Sequence, residues 1–220
     1  KSNVIYVEAM ISSTHAKLKG MSYHSLLEGV ANGAKQAHEE FGIISKYIMN
    51  GIRHLGADSV YKTAKEVLDN PHEDLVGFGL AGDELHFPPK LFTKTFDMLK
   101  EAKIPITVHA GEWDGPDNIK EAITLLYPTR LGHGVRSIED PDLVNLIKKL
   151  NIVLETCPTS NIATKIYKDY NDHPVKKLFD QGVKITVNSD DPPFFNASIT
   201  GEYEVMKNLG LSDEELKSLT

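Results

Sequence analysis

The chain has 220 residues, of which 40% are hydrophobic and 25% charged, as in an ordinary globular protein. No apolar run is long enough to cross a membrane, and the opening residues do not predict a secretion signal. The formal net charge of -7 argues against nucleic acid as a partner, because phosphate binding needs a basic surface. The single cysteine cannot form an internal disulfide, so we expect a reducing, cytoplasmic location with no membrane partner.

The sequence begins at Lys1 without a methionine and passes at once into the apolar stretch 4–7. A start inside a structural element is typical of a fragment, so we expect further residues upstream. No Gly/Ser-rich linker, low-complexity segment or short repeat divides the remainder. We therefore predict a single domain over residues 1–220.

Short apolar, β-branched runs alternate with helical patterns along the chain. The first helical pattern covers 26–41 and the second 60–68, and a later helix opens at Asp140-Pro141. Another helix has Pro174 in its first turn and Gly182 just past its end. Near the C-terminus, Ser212 and Glu215 have the spacing of a capping box. The seven predicted strands are 4–10, 45–49, 75–80, 104–109, 130–133, 152–156 and 184–188.

This alternation implies parallel strands joined by right-handed crossovers. Two architectures fit: an open doubly wound sheet and a closed barrel. The dinucleotide-binding form of the open sheet carries a G-x-G-x-x-G turn, which is absent here. A (β/α)8 barrel has eight strands and typically about 250 residues. We predict an α/β fold, a (β/α)8 TIM barrel lacking its first strand, with the active site at the C-terminal strand ends.

Polar residues of chemical interest follow several predicted strands. His109 ends one strand and Glu112 follows three positions later. An imidazole is a good ligand for zinc-like metals, and a carboxylate that does not bind the metal can move protons. The alternative is a plain His–Glu hydrogen bond at a strand end.

Three further motifs lie at predicted strand ends. His133 stands between two glycines, where the backbone can approach a ligand closely, although a turn histidine is the alternative. Asp190 and Asp191 precede a proline, and burying adjacent carboxylates is costly without a cation or a shared proton. The alternative there is a solvated turn. Gly82 could offer its backbone N–H to a ligand, or it is simply a loop glycine.

Five motifs together resemble the successive signatures of the adenosine deaminase family, in the order the family has them. The resemblance extends over essentially the whole chain from Val4 onward. The motifs are Leu-Ala-Gly-Asp-Glu at 80–84, Val-His-Ala-Gly-Glu at 108–112, Gly-His-Gly at 132–134, Leu-Glu-Thr-Cys-Pro at 154–158 with Ser-Asn at 160–161, and Ser-Asp-Asp-Pro at 189–192.

The resemblance implies a metal-dependent hydrolase that converts adenosine to inosine and ammonia, with one divalent cation, most simply Zn²⁺. His109 and Asp190 resemble metal ligands, and Glu112 resembles the residue that protonates purine N1. His133 resembles the residue that orients or deprotonates the attacking water. Gly82 would donate its N–H to the purine. Asp191 would face N7, and because N7 only accepts hydrogen bonds, Asp191 would have to carry the proton.

The sequence departs from the family at one point. The family's first strand ends in a His-x-His pair that supplies two more metal ligands, and no His-x-His occurs here. Because a catalytic zinc site usually has at least three protein ligands, we expect this chain alone to bind metal weakly and to be inactive. The remaining histidines fall in predicted helices or loops and are interpreted as surface or structural; they are His15, His24, His38, His54, His72, His86 and His173.

Alternative functions remain open at this point. The substrate could be adenine or another 6-aminopurine, since the stretch 187–195 also resembles adenine-processing relatives. A non-catalytic purine-binding protein would not need Glu112 and His133. An amide or phosphoester hydrolase on this fold would need other ligands, such as a bridging lysine at a strand end, and no predicted strand here ends in a suitable one. The zinc deaminases with Cys-x-x-Cys are excluded by the single cysteine, Cys157, which we interpret as a packed strand-end residue.

Overall fold

The computed structural model describes residues 3–219, and within them seven β-strands alternate with helices. Each strand lies within three residues of its predicted limits. The strands are β1 (Tyr6–Ile11), β2 (Ile44–Ile52), β3 (Leu75–Ala81), β4 (Ile106–Ala110), β5 (Arg130–His133), β6 (Val153–Thr156) and β7 (Ile185–Val187).

The helices fill the intervals between the strands, and 3-10 turns cover Arg53–Leu55, Pro89–Phe92 and Val135–Glu139. Two of the predicted start signals are confirmed: Asp140 caps one helix, and Ser212 forms the capping box with Glu215. Pro174, predicted in the first turn of a helix, is instead the N-cap residue that precedes it. The α-helices are α1 (Ser13–Leu18), α2 (Tyr23–Phe41), α3 (Ala57–Asp69), α4 (Thr93–Glu101), α5 (Pro116–Leu126), α6 (Pro141–Lys149), α7 (Pro158–Ala163), α8 (Val175–Asp180), α9 (Pro192–Phe195), α10 (Ile199–Asn208) and α11 (Asp213–Lys217).

The strands of the sheet follow one another in chain order, from β1 to β7. The pairs β1–β2, β2–β3, β3–β4, β5–β6 and β6–β7 are parallel. This strand order, with a helix after each strand, is the topology of a (β/α)8 barrel that has one strand fewer, which confirms the predicted fold class.

The chain forms two compact units. The first comprises the residues up to Val108 together with Leu125–Tyr127. Its core lies between β2, β3 and the helices α3 and α4, where an edge-to-face contact joins Phe78 and Phe96 at 6.1 Å. β3 is apolar along its whole length, as is typical of a strand covered on both faces, whereas β2 also carries Ser45, Lys46 and Asn50 and is buried from Tyr47 onward.

The second unit comprises His109–Thr124 and the residues from Pro128 onward. Its core includes Leu131 of β5, Leu154 of β6 and the apolar side of α6, all buried. All the site residues predicted from the sequence belong to this unit except Gly82, which lies in the first. The expectation of a single domain stays a prediction. Among the described residues, no helix is long and apolar enough to cross a membrane.

Candidate active site

His109 is delivered to the site at the C-terminal end of β4. Its ring meets that of His133 edge to face, with the centroids 5.3 Å apart. Gly132 provides the space that the His109 ring occupies: a Cβ on this glycine would lie 2.7 Å from Nδ1 of His109. The first glycine of the Gly-His-Gly motif therefore makes room for the histidine at the end of β4.

His133 ends β5 in a left-handed backbone conformation, with φ 59°, and its side chain is buried. Its Nε2 lies 3.5 Å from Oε2 of Glu112 and 3.8 Å from Oδ2 of Asp190. Burial, followed by the neighbouring His173, lowers the pKa of His133 to about 4. The imidazole is consequently neutral at pH 7 despite facing two carboxyl groups.

Asp190 also has a left-handed backbone, with φ 52°, and its Oδ2 accepts a 2.7 Å hydrogen bond from the Ser160 hydroxyl. Left-handed non-glycine residues cluster at functional sites, where the surrounding structure holds them in place. Asp191 is exposed at the start of α9. Desolvation by its partial burial, followed by the charge of Asp190, raises the pKa of Asp191, and its predicted contact with a purine stays a prediction.

Two residues that the sequence reasoning did not assign to the site connect its groups. Asn161 of α7 is fully buried, and its Nδ2 lies 3.3 Å from Oε1 of Glu112 and 3.2 Å from Nδ1 of His133. Nε2 of His173 lies 3.0 Å from Oδ1 of Asn161. His173 is buried, so it is a structural and not a surface histidine. No motif in the sequence singles out His173. Asn161, in contrast, belongs to the Ser-Asn pair at 160–161 that forms part of the family resemblance.

One cluster of side chains has the composition of a metal site. Within residues 3–219, one group of three ligand atoms lies within 4.8 Å: those of His133, Cys157 and Asp190. Imidazole, thiolate and carboxylate are all zinc ligands. Burial raises the pKa of the Cys157 thiol, which disfavours the thiolate that a metal needs, and His109 does not belong to this group. His133 and Asp190 therefore remain as suitable ligands within the group, and of these two only Asp190 is a metal ligand predicted from the sequence.

Gly82 follows β3 in the first unit, with φ 103°. A side chain would be strained in this conformation, and a Cβ here would lie 2.9 Å from Nδ1 of His54. The position therefore requires a glycine for local reasons. Its role as an N–H donor to a purine stays a prediction.

Comparison with known proteins places these residues in a family. The family model described as "Adenosine deaminase" matches residues 1–220. The chain belongs to the adenosine deaminase family. His109, Glu112, His133 and Asp190 all lie within the matched range, and the roles of these residues stay predictions.

The similar proteins include several that are called adenine deaminases, one of them with a crystal structure. The adenine deaminase of Sinorhizobium medicae is 40% identical over 221 residues, which cover 100% of this chain and 68% of the relative. The crystal structure of adenine deaminase from Arthrobacter aurescens is 29% identical with a TM-score of 0.92, covering 99% of this chain and 67% of that one. An amidohydrolase structure from Burkholderia ambifaria with bound Zn is 25% identical with a TM-score of 0.92, covering 99% of this chain and 61% of that one.

Proposed function

We propose that the protein containing this chain hydrolyses adenine to hypoxanthine and ammonia. The observation that carries the proposal is the convergence of Glu112, His133 and Asp190, with His133 Nε2 within 4 Å of both carboxyl groups. A purine-binding protein without activity has no use for this proton-transfer arrangement. The reaction replaces the 6-amino group of the base by the oxygen of one water molecule.

The substrate choice rests on the relatives. The sequence motifs predict adenosine as the substrate, with adenine as the alternative. The relatives called adenine deaminases, at 40% identity over the full chain, favour that alternative. The Arthrobacter aurescens structure supports the same choice. Adenosine and other 6-aminopurines are therefore the substrates with which adenine must be compared.

Asp190 and His109 are the residues of this chain that we assign to a divalent cation. A carboxylate and an imidazole suit zinc, and the Burkholderia ambifaria relative was solved with bound Zn. When bound, such a cation makes water a better nucleophile at neutral pH. Asp190 is already oriented by the Ser160 hydroxyl at 2.7 Å, as expected for a ligand whose direction matters.

Glu112 is the group that we assign to proton transfer at purine N1. Its carboxyl is mostly buried, with 13% of the side chain exposed. Asn161 Nδ2 donates to Oε1 at 3.3 Å, so a proton carried by the carboxyl belongs on Oε2. A proton delivered to N1 makes C6 more electrophilic, and this is general-acid work. Asp191, with its raised pKa, would donate to N7.

The metal-ligand count leads to a separate expectation for this chain on its own. His109 and Asp190 are two assigned ligands, and a tight catalytic zinc site needs at least three. We propose that residues 1–220 alone bind zinc weakly and do not turn over purines. Stoichiometric zinc and measurable turnover from these residues alone would overturn this expectation.

The substrate is tested by offering adenine, adenosine and adenosine monophosphate to the zinc-loaded protein made from its complete gene. We expect kcat/KM for adenine to exceed that for adenosine by at least about tenfold, a difference of about 1.4 kcal/mol in transition-state binding. Preference for adenosine would restore the first sequence interpretation. Turnover of none of the three would overturn the proposed function.

A further inference from the structure

A backbone group fixes the hydrogen position on His173. The N–H of Val175 lies 3.2 Å from Nδ1 of His173, and a backbone N–H can only donate. Nδ1 is therefore an acceptor, and the neutral imidazole carries its hydrogen on Nε2. Burial lowers the pKa of His173 to about 4, which keeps the ring neutral at pH 7. The Tyr167 ring packs edge-on at 4.9 Å and holds the imidazole in this plane.

The hydrogen on His173 then fixes the carboxamide of Asn161. Nε2–H of His173 donates to Oδ1 at 3.0 Å, so Nδ2 points the other way. Glu112 independently requires the same orientation, because its Oε1 accepts from Nδ2 at 3.3 Å. A reversed amide would place its oxygen against the carboxyl group and its NH₂ against the His173 N–H. Two partners on opposite sides thus select one orientation.

The fixed amide determines the hydrogen position on His133. Nδ2 of Asn161 lies 3.2 Å from Nδ1 of His133, and an amide NH₂ can only donate. Nδ1 accepts this bond, so the neutral ring carries its hydrogen on Nε2. That nitrogen faces Glu112 and Asp190 at 3.5 and 3.8 Å.

We propose that Asn161 and His173 are positioning residues that hold His133 as the Nε2–H tautomer, so that His133 acts in the reaction as a hydrogen-bond donor and not as a base. The tautomer follows from the contacts above, whereas its part in catalysis rests on the proposed function. A neutral ring with hydrogen on Nε2 has no lone pair there with which to accept a proton. This distinguishes between the two roles, orientation and deprotonation of water, that the family resemblance left open for His133.

The test is long-range ¹H–¹⁵N NMR of the zinc-loaded protein, made from its complete gene with ring-¹⁵N histidine. Loss of signals in a His133→Gln variant identifies the His133 ring. We expect Nε2 to be protonated and Nδ1 unprotonated at pH 7.5. A ring with hydrogen on Nδ1 in the wild-type protein would overturn the proposal, and this readout does not need a known substrate.

Asn161→Asp tests the chain of contacts. An aspartate at 161 can only accept, so His173 keeps its hydrogen bond while His133 is drawn to the Nδ1–H form. We expect the NMR signals to show this change, with kcat on adenine lower by about 10- to 100-fold and KM altered by less than about threefold. Asn171→Asp, at an exposed position of the segment before α8, adds the same charge as a control and should leave tautomer and kcat unchanged.

A second variant covers the case in which Asn161→Asp fails to fold. His173→Phe removes one of the two partners that orient Asn161 and leaves Glu112 as the other, so we expect the Nδ1–H tautomer of His133 to appear beside the Nε2–H form. An unchanged Nε2–H ring in both variants would overturn the role of Asn161 and His173. If the NMR result is as expected but no purine is turned over, the tautomer assignment stands and the proposed function fails.

Discussion

The hydroxyl of Ser160 donates a 2.7 Å hydrogen bond to Oδ2 of Asp190, and it does so from a fully buried position near the start of α7. A carboxylate that binds a metal is commonly oriented by such a partner. Ser160→Ala is therefore expected to weaken zinc binding by about 10- to 100-fold while the free energy of unfolding falls by about 1 kcal/mol. Competition with a chromogenic chelator measures the zinc affinity.

Ser189→Ala is the matched control for that prediction. Ser189 is adjacent to Asp190, but within the described residues its hydroxyl makes no hydrogen bond to that carboxylate. Its zinc affinity should equal that of the wild-type protein. Equal losses in both variants would mean that the Ser160–Asp190 contact does not orient a metal ligand.

The second prediction concerns the space that Gly132 leaves for His109. A methyl group at this position would lie 2.7 Å from Nδ1 of His109, so Gly132→Ala displaces the ring. We expect weaker zinc binding together with a loss of about 1 to 3 kcal/mol in the free energy of unfolding. Isothermal titration calorimetry and urea denaturation measure the two effects.

Gly115→Ala serves as the control for Gly132→Ala. A Cβ at Gly115 would meet only Arg136, whose Nη2 lies 3.8 Å away, at an ordinary contact distance. This variant should keep both zinc affinity and stability. If Gly132→Ala behaves in the same way, the position of His109 does not depend on the absence of a side chain at 132.

The third prediction concerns Glu112. Glu112→Gln keeps the size of the side chain and its acceptor oxygen for Asn161 but removes the transferable proton. We expect kcat on adenine to fall by about 100- to 10,000-fold, the usual range for loss of a general acid. KM and zinc content should change little, and steady-state kinetics with metal analysis checks all three. A fall of less than about tenfold in kcat would exclude Glu112 as the main proton donor.

The seven strands were predictable because their apolar runs are short and bounded by turn residues. Two of the strands begin later than predicted because the backbone N–H groups of the first predicted residues donate to carbonyl groups outside the sheet. The strand predicted from 104 begins at Ile106, because the N–H of Ile104 bonds to Leu99 O and Pro105 has no N–H to donate. The strand predicted from 152 begins at Val153 for a similar reason, since the N–H of Ile152 bonds to Ile147 O.

From the sequence, only the site residues that follow a strand or belong to a family motif could be predicted. His109, His133 and Asp190 each follow a strand, so parallel topology implied that they share one end of the sheet. The bonds from Asn161 to Glu112, His133 and His173 depend on where α7 and the loop before α8 lie. No periodicity or spacing encodes that placement, and a buried histidine in a loop resembles a surface one in sequence.

The fourth prediction concerns pH and stability. The pKa of His173 falls from its ordinary 6.5 to about 4 on folding because the ring is buried. The folded state thus binds fewer protons than the unfolded state between these values, and stability is lost as the pH falls from about 6.5 to about 4. The full loss from this group is about 3 kcal/mol. Urea denaturation at pH 7.5 and pH 5 should show a smaller pH dependence for His173→Gln than for the wild-type protein.

His24→Gln is the control for the pH prediction, because His24 is exposed. Its pH dependence of stability should follow that of the wild-type protein. If removing His173 leaves the loss between pH 7.5 and pH 5 unchanged, other groups produce it.

The central claim is hydrolytic deamination of a 6-aminopurine, with adenine as the substrate. Mass spectrometry of the products formed from adenine in ¹⁸O-labelled water, by the zinc-loaded protein made from its complete gene, tests it most directly. We predict hypoxanthine that carries the heavy oxygen, with one ammonia released per base, and formation of this product slowed by about 100- to 10,000-fold in the Glu112→Gln variant. Recovery of unchanged adenine from the wild-type protein, under conditions where zinc is bound, would contradict the account.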